Sequence, residues 1–108
     1  MTIQMPRPVS AYFQADRDDR ASVSDCFTED AKVTDEGNTY TGRDAIRDWK
    51  AKSSKKYTYT VAPFAIEETG GKVVVTAHVV GNFPGSPVDL RYFFGLKSDK
   101  IASLEIKP

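Results

Sequence analysis

The second half of the chain constrains the fold most, because its apolar residues follow the two-residue period of β-strands. Runs rich in valine, isoleucine, threonine and aromatic residues alternate with clusters of turn residues. The runs predict four strands, at residues 55–68, 72–83, 88–97 and 100–107. Connections this short make neighbouring strands antiparallel, because a parallel pair needs a crossover of about a dozen residues or more.

The first half of the chain has helical spacing instead. Met5, Val9, Tyr12, Phe13 and Asp16 recur at intervals that predict a first helix over about residues 6–16. Prolines lie near its start, where a helix tolerates them.

Two further helices are predicted before the strands begin. Asp18 or Asp19 can cap a short second helix that carries Val23 and Cys26. A third helix, GRDAIRDWKAKS, follows Thr41, and Asp44 three residues later forms a loose capping box with that threonine.

Between the second and third helices lies a short strand, Ala31 to Asp35. Glu36-Gly37-Asn38 then has the composition of a turn. Helices followed by an antiparallel meander predict a single α+β domain over residues 1–108, with the helices packed on one face of a mainly antiparallel sheet.

The strand at residues 73–80 is apolar on both faces, and such a strand is usually covered on both. Because the helices cover only one face, we expect a second copy of the chain on the other, which predicts a homodimer.

Charge and composition exclude several classes of function. Fifteen basic side chains balance fifteen acidic ones, so nothing favours binding to nucleic acid or to an anionic membrane. The basic cluster KAKSSKK at residues 50–56 is interpreted as a solvent-facing helix end.

One cysteine and one histidine leave no internal disulfide and too few soft ligands for a zinc site, so no metal is expected. Cys26 is expected to be a small buried residue, and a reducing, cytoplasmic location is expected. No signal peptide or membrane span is predicted.

Three segments, in this order, resemble the nuclear transport factor 2-like superfamily. They are FTEDAKVTDEG at 27–37, TGRDAIRDW at 41–49 and GNFPGSPVDLRYFFGLKSDKIASLEI at 81–106. The chain looks most similar to the SnoaL-like branch, which is related to polyketide cyclases and ketosteroid isomerases. The resemblance implies a cone-shaped fold whose curved sheet and helices enclose a pocket. It does not imply one activity, because this fold serves many functions.

The resemblance places Asp35 where the isomerases carry the aspartate that shuttles a proton. A carboxylate in an apolar cavity has its charged form disfavoured, which makes it a better base. The alternative is an aspartate at a strand end that bonds the backbone of the following turn.

The isomerases also use a tyrosine on the first helix and a protonated acid on a late strand to bind an oxyanion. Tyr12 lies close to the tyrosine position, although an alignment without gaps from Phe27 puts Ala11 there. No carboxylate is present at residues 91–93, where the acid would fall. Ketosteroid isomerisation by that trio is therefore not expected.

His78 has two interpretations. It can be an acid–base partner of Asp35 if both face the cavity, or a core or interface residue if they do not. The aromatic residues also have two interpretations: most should belong to the core, and some should line the pocket. The predicted pocket residues are Phe13, Trp49, Tyr57, Tyr59, Tyr92 and Phe94.

Three functions remain open from the sequence. The first is an enzyme of isomerase or cyclase type that works without a cofactor, with Asp35 as base, helped by Tyr12 or His78, on an apolar carbonyl or polyketide-like molecule. The second is a module that binds a small hydrophobic ligand without chemistry. The third is an interaction protein that uses the open face of its sheet.

Overall fold

Two α-helices and one 3₁₀ helix pack against one face of a curved, six-stranded sheet in the computed structural model, which describes residues 4–18 and 20–108. The helices are α1 (Arg7–Asp18), a 3₁₀ helix (Arg20–Cys26) and α2 (Arg43–Lys56). The strands are β1 (Phe27–Asp35), β2 (Asn38–Thr41), β3 (Tyr59–Thr69), β4 (Lys72–Gly81), β5 (Val88–Lys97) and β6 (Lys100–Lys107). The predicted α+β class is confirmed.

The strands lie in the order β2-β1-β6-β5-β4-β3. Every neighbouring pair is antiparallel except β1 and β6, which run parallel with Val33 opposite Leu104 and Asp35 opposite Ile106. The meander from β3 to β6 matches the sequence prediction. The parallel pairing of β1 with β6 was not predicted, because these strands are far apart in the chain.

Helix α1 buries the stripe that its sequence predicts. Val9, Tyr12, Phe13 and Asp16 are all buried, at positions i, i+3, i+4 and i+7 of one helix face. The polar member of this stripe, Asp16, is only 5% exposed, so it needs a partner inside the protein.

Helix α2 begins without the predicted capping box. Gly42 is its N-cap residue, with φ of 89°, and no side chain caps the helix. The expected pairing of Thr41 with Asp44 is therefore wrong. The other predicted cap, Asp19, lies outside the described residues.

A two-residue turn joins β1 to β2. Glu36 and Gly37 both have positive φ, 52° and 79°. Two successive positive φ values belong to the hairpin turn whose twist matches that of the strands, and glycine adopts the second at low cost. The turn ends β1 at Asp35 and brings the chain back toward α2.

The two faces of the sheet differ in burial. The inner face packs against the helices through Val33, Val75, Phe94 and Leu104, all 2% exposed or less. The outer face carries two large apolar side chains that are exposed, the only ones among residues 4–18 and 20–108: Phe64 at 52% and Val80 at 44%. Among the described residues, no helix combines the length and the apolar character needed to cross a membrane.

Candidate functional site

A cavity of about 940 Å³ lies between the inner face of the sheet and helices α1 and α2. Its apolar wall comes mainly from β4, β5, β6 and the segment between β4 and β5: Val79, Phe83, Pro84, Val88, Leu90 and Ile106. Its aromatic and polar lining includes Tyr12, Asp16, Asp35, Trp49, Lys50, Tyr57, Tyr59 and Tyr92. A pocket with mostly apolar walls and a few converging polar groups is the usual form of a small-molecule site.

Asp35 is the last residue of β1. It comes two residues after the buried Val33, so both side chains are on the cavity side of the sheet. The indole Nε1 of Trp49 donates a hydrogen bond to Asp35 Oδ2 at 3.0 Å. No other hydrogen bond to this carboxylate comes from the described residues, and its side chain does not bond the Glu36-Gly37 turn. The turn-capping interpretation of Asp35 is therefore wrong, and one carboxylate oxygen is left for another partner.

A buried ion pair lies beside this carboxylate. Lys50 Nζ is 2.8 Å from Asp16 Oδ1, and the two side chains are only 5% and 7% exposed. The hydroxyl of Tyr59 donates to the same Asp16 oxygen at 3.3 Å and accepts from Lys50 Nζ at 3.4 Å. Helix α1 thus supplies the carboxylate of this pair, α2 supplies the ammonium group, and β3 supplies the hydroxyl that bonds both.

The position of Lys50 corrects the interpretation of residues 50–56 as a solvent-facing cluster. Lys50 follows Trp49 on the buried face of α2, whereas Lys52 is exposed. The ammonium of Lys50 lies 4.4 Å from the ring centroid of Trp49 and 5.6 Å from that of Tyr12. Both contacts are within cation–π range, so aromatic rings replace part of the water that the charge has lost.

Tyr12 and Tyr92 lie deep in the same wall. Tyr12 is 1% exposed and Tyr92 is 5% exposed. Burial is the main cause that raises the pKa of both hydroxyls above the ordinary value of 10.0, and the charge of Asp16 adds to it. Both therefore stay protonated at neutral pH and remain able to donate hydrogen bonds.

Three predicted site residues lie elsewhere. His78 is exposed on the outer face of β4, where its Nδ1 is 2.7 Å from Asp89 Oδ1, so it is not placed to be an acid–base partner of Asp35. Phe13 and Phe94 are buried in the core and do not line the cavity. The other predicted residues, Tyr12, Asp35, Trp49, Tyr57, Tyr59 and Tyr92, all line it.

Cys26 differs partly from expectation, because it is half-buried rather than buried. Burial raises the pKa of its thiol, and the charge of Lys100 only partly offsets this. A raised pKa disfavours the thiolate, the nucleophilic form. In the part of the chain that the structure describes, no three His, Cys, Asp or Glu side chains are grouped so that they could hold a metal ion.

Sequence and structure comparisons show where the chain belongs. The model of the SnoaL-like domain family matches residues 9–104. A candidate polyketide cyclase from Sinorhizobium meliloti is 41% identical, with a TM-score of 0.90 and 95% of each chain covered. No protein with a curated description matches significantly.

More distant structures share the fold. A protein of Catenulispora acidiphila with a ketosteroid isomerase-like fold, solved with trimethylamine, has a TM-score of 0.83 at 22% identity, covering 97% of this chain and 87% of its own. TerC, co-crystallised with polyporic acid, has a TM-score of 0.78 at 18% identity, covering 93% and 87%. These likenesses confirm the predicted nuclear transport factor 2-like fold. With the family model matching most of its length, the chain belongs to the SnoaL-like domain family.

Proposed function

We propose that the cavity binds a small, mostly apolar carbonyl compound and that Asp35 acts on it as a general base. The proposal rests on the Asp35 carboxylate, which lines the cavity with one oxygen fixed by Trp49 at 3.0 Å and the other unbonded among the described residues. A base fixed in this way needs little reorganisation before it takes a proton.

The reaction begins with proton abstraction next to the carbonyl group. Asp35 takes a proton from the adjacent carbon, the electron pair of that C–H bond becomes the C=C bond of an enolate, and the negative charge moves to the carbonyl oxygen. If the compound has a C=C bond conjugated with this enolate, Asp35 can return the proton to the far carbon of the dienolate, and the product is a double-bond isomer. If the enolate carbon attacks a second carbonyl of the same molecule, a C–C bond forms, a ring closes, and the new alkoxide takes the proton.

Trp49 serves as a positioning residue for this base. Its indole N–H can donate but cannot accept, so it fixes Asp35 in the orientation in which the bonded oxygen faces the indole. The ring of Trp49 also contacts Tyr40 and the ammonium of Lys50. These contacts restrain the indole, and with it the carboxylate.

The cavity also limits the size and polarity of the ligand. A volume of about 940 Å³ is at the upper end of the usual range for small-molecule sites, about 300–1,000 Å³, and accommodates a compound of several rings. The relative described as a candidate polyketide cyclase and the neighbour crystallised with polyporic acid support the same class of ligand.

Deuterium exchange tests the proposed base without knowledge of the natural substrate. The protein is incubated in D₂O with 2-tetralone, a bicyclic ketone with exchangeable protons next to its carbonyl, and exchange is followed by NMR. We expect the parent protein to accelerate exchange and Asp35→Asn to lose about 10²–10⁴ of that acceleration.

Asp30→Asn is the matched control, because Asp30 is an exposed residue of the same strand and lies outside the cavity. Unchanged exchange in Asp35→Asn would refute the proposed base. Binding of 2-tetralone without exchange in the parent protein would favour the alternative, a binding module without chemistry.

We also propose that the outer face of the sheet joins two copies of the chain. Phe64 and Val80 are exposed there, and Val74 on the same face of β4 is only 3% exposed. The pairs His78–Asp89 and Lys107–Glu105 lie on the same surface. A mixed apolar and charged surface suits self-association, because a two-fold pairing can place each charge near its opposite.

A further inference from the structure

Lys50 is a buried ammonium in the cavity wall that the proposed proton transfer does not use. Its side chain is 5% exposed, and no other lysine or arginine is buried in residues 4–18 and 22–108. The groups around its Nζ belong to Asp16, Tyr59, Trp49 and Tyr12. All four of these side chains line the cavity, as Lys50 itself does. The ammonium therefore lies where a molecule bound in the cavity can contact it.

This ammonium has more hydrogen-bond donors than the protein fills. Its nitrogen has three N–H bonds, and two oxygens lie within reach: Asp16 Oδ1 at 2.8 Å and the Tyr59 hydroxyl at 3.4 Å. No third acceptor comes from the described residues, because the other neighbours of Nζ are the rings of Trp49 and Tyr12. A buried ion pair is also a weak source of stability, since apolar residues of similar volume often do as well. A partner in the cavity accounts better for a charge at this place.

We propose that Lys50 forms a Schiff base with the carbonyl carbon of the ligand, so that the ligand is a ketone or an aldehyde. Lysine is the side chain that forms this covalent intermediate with carbonyl compounds, and buried lysines are the ones used for it. Esters and amides are excluded, because their attack by the amine would leave Lys50 acylated. The inference rests on the proposed function in one respect, namely that the cavity binds a small carbonyl compound.

Asp16 and Lys50 can carry out this step without any other reagent. Asp16 takes one proton from the ammonium, the nitrogen lone pair attacks the carbonyl carbon, and the C=O electron pair moves to the oxygen, which takes that proton. Asp16 then takes a second proton from the nitrogen and gives it to the new hydroxyl group, which leaves as water while the nitrogen lone pair forms the C=N bond. Two protons have moved from nitrogen to oxygen, and the 2.8 Å contact places Asp16 to carry both.

The product of this step fits the electrostatics of the wall. The ammonium and the iminium each carry one positive charge, so Asp16 faces a cation before and after the reaction. The ring of Trp49, whose centroid is 4.4 Å from Nζ, attracts either cation. Because no net charge is created in this buried place, the step avoids the desolvation penalty of an isolated charge.

The iminium also makes proton abstraction by Asp35 easier. A cationic C=N group withdraws electrons more strongly than a neutral C=O group, so the C–H bond next to it is more acidic. Asp35 and Lys50 contact the same indole, with Asp35 Oδ2 3.0 Å from Nε1 and Lys50 Nζ 4.4 Å from the ring centroid of Trp49. When Asp35 takes the proton, the iminium becomes a neutral enamine. The enamine carbon then replaces the enolate carbon as the nucleophile, and water finally releases the product from Lys50.

Reductive trapping of the parent protein tests the inference. The protein is incubated at neutral pH with 2-tetralone and sodium cyanoborohydride, which gives hydride to an iminium carbon and leaves most of the ketone unreacted. A trapped Lys50 gains the mass of the ketone without its oxygen, and peptide mass mapping identifies the modified lysine. Lys55 is the matched internal control, because it is an exposed lysine of the same helix outside the cavity. We expect Lys50 to be modified at least about tenfold faster than Lys55.

Lys50→Arg separates the chemistry of the amine from its charge. Arginine keeps a cation opposite Asp16, but its guanidinium does not form a Schiff base. We expect the variant to fold, as near-ultraviolet circular dichroism will check, and to slow deuterium exchange of 2-tetralone on the order of tenfold or more. The inference is overturned if Lys50 of the parent protein is modified no faster than Lys55, or if folded Lys50→Arg exchanges as fast as the parent. If the variant does not fold, trapping of the parent protein decides alone.

Asp35→Asn separates this inference from the proposed base. It should lose deuterium exchange while Lys50 is still trapped, because formation of the Schiff base uses Asp16 and not Asp35. Exchange that survives Asp35→Asn refutes the base, and selective trapping of Lys50 then leaves the Schiff base standing. Equal trapping of Lys50 and Lys55 refutes the Schiff base, and exchange that is lost in Asp35→Asn then leaves the base standing.

Discussion

Lys50→Met should destabilise the protein severely, because it removes the lysine charge from a buried ion pair with Asp16. Both side chains of the pair are at least 93% buried, and their charged atoms are 2.8 Å apart. Breaking a buried pair by removing one partner typically costs about 3–5 kcal/mol. The hydrogen bond from Tyr59 to Asp16 remains, so we expect a loss near the lower end, about 3 kcal/mol.

Methionine is the informative replacement, because it retains most of the length and apolar contact of the lysine stem beside Trp49 and Tyr12. The measured loss then reports the charge rather than a cavity. Urea unfolding at neutral pH gives the free energy of unfolding, and for a domain of this size a loss of 3 kcal/mol lowers Tm by about 12–24 °C.

Lys52→Met is the matched control, since it makes the same change on the same helix at an exposed position. We expect it to change the free energy of unfolding by less than about 0.5 kcal/mol. The double variant Asp16→Asn with Lys50→Met should lose less than the sum of the two single variants, because the two groups interact directly. A loss for Lys50→Met no larger than that for Lys52→Met, or strict additivity in the double variant, would refute the reasoning.

Three further predictions concern other parts of the molecule. Trp49→Phe removes the only hydrogen-bond donor to the Asp35 carboxylate among the described residues and should slow deuterium exchange of 2-tetralone by about tenfold or more. The double variant Asp35→Asn with Trp49→Phe should be no slower than Asp35→Asn alone. The raised pKa values keep Tyr12 and Tyr92 neutral in the folded protein, so above about pH 10 the unfolded state releases protons that the folded state keeps. The free energy of unfolding should therefore fall as pH rises. Tyr92→Phe should make that fall shallower in urea titrations at about pH 9–11. Phe64→Ser should lower the sedimentation coefficient toward that of a single chain and change the free energy of unfolding of that chain little. A parent protein that sediments as one chain at all concentrations would contradict the dimer.

The strands were predicted best where alternation and turn residues agreed. Strands β5 and β6 have the bounds that the sequence predicts, Val88–Lys97 and Lys100–Lys107. Strand β3 begins four residues later than predicted, because α2 continues to Lys56. Strand β2 was missed, since a four-residue strand beside a turn is too short to show a period.

The site was predicted in part, for a physical reason. Asp35 and most aromatic residues follow from strand alternation and from the family resemblance. The burial of Lys50 depends on Asp16, 34 residues away in the chain, and a local pattern of lysines gives no sign of it. The one available signal was an aspartate in the apolar stripe of α1. The face on which His78 lies depends on the register of β4. Because this strand is apolar on both faces, its pattern does not define that register.

The parallel pairing of β1 with β6 has a kinetic consequence. Strand β1 pairs only with the short β2 on one side, so its other edge stays open until residues 100–107 have been synthesised. Closing a loop of about seventy residues is entropically unfavourable early in folding, so contacts of this kind slow it. Because Asp35 is opposite Ile106, the wall that holds the candidate base forms in this late step. A nascent chain lacking β6 should therefore expose an unpaired β1 edge, the kind of surface that chaperones protect and aggregates use.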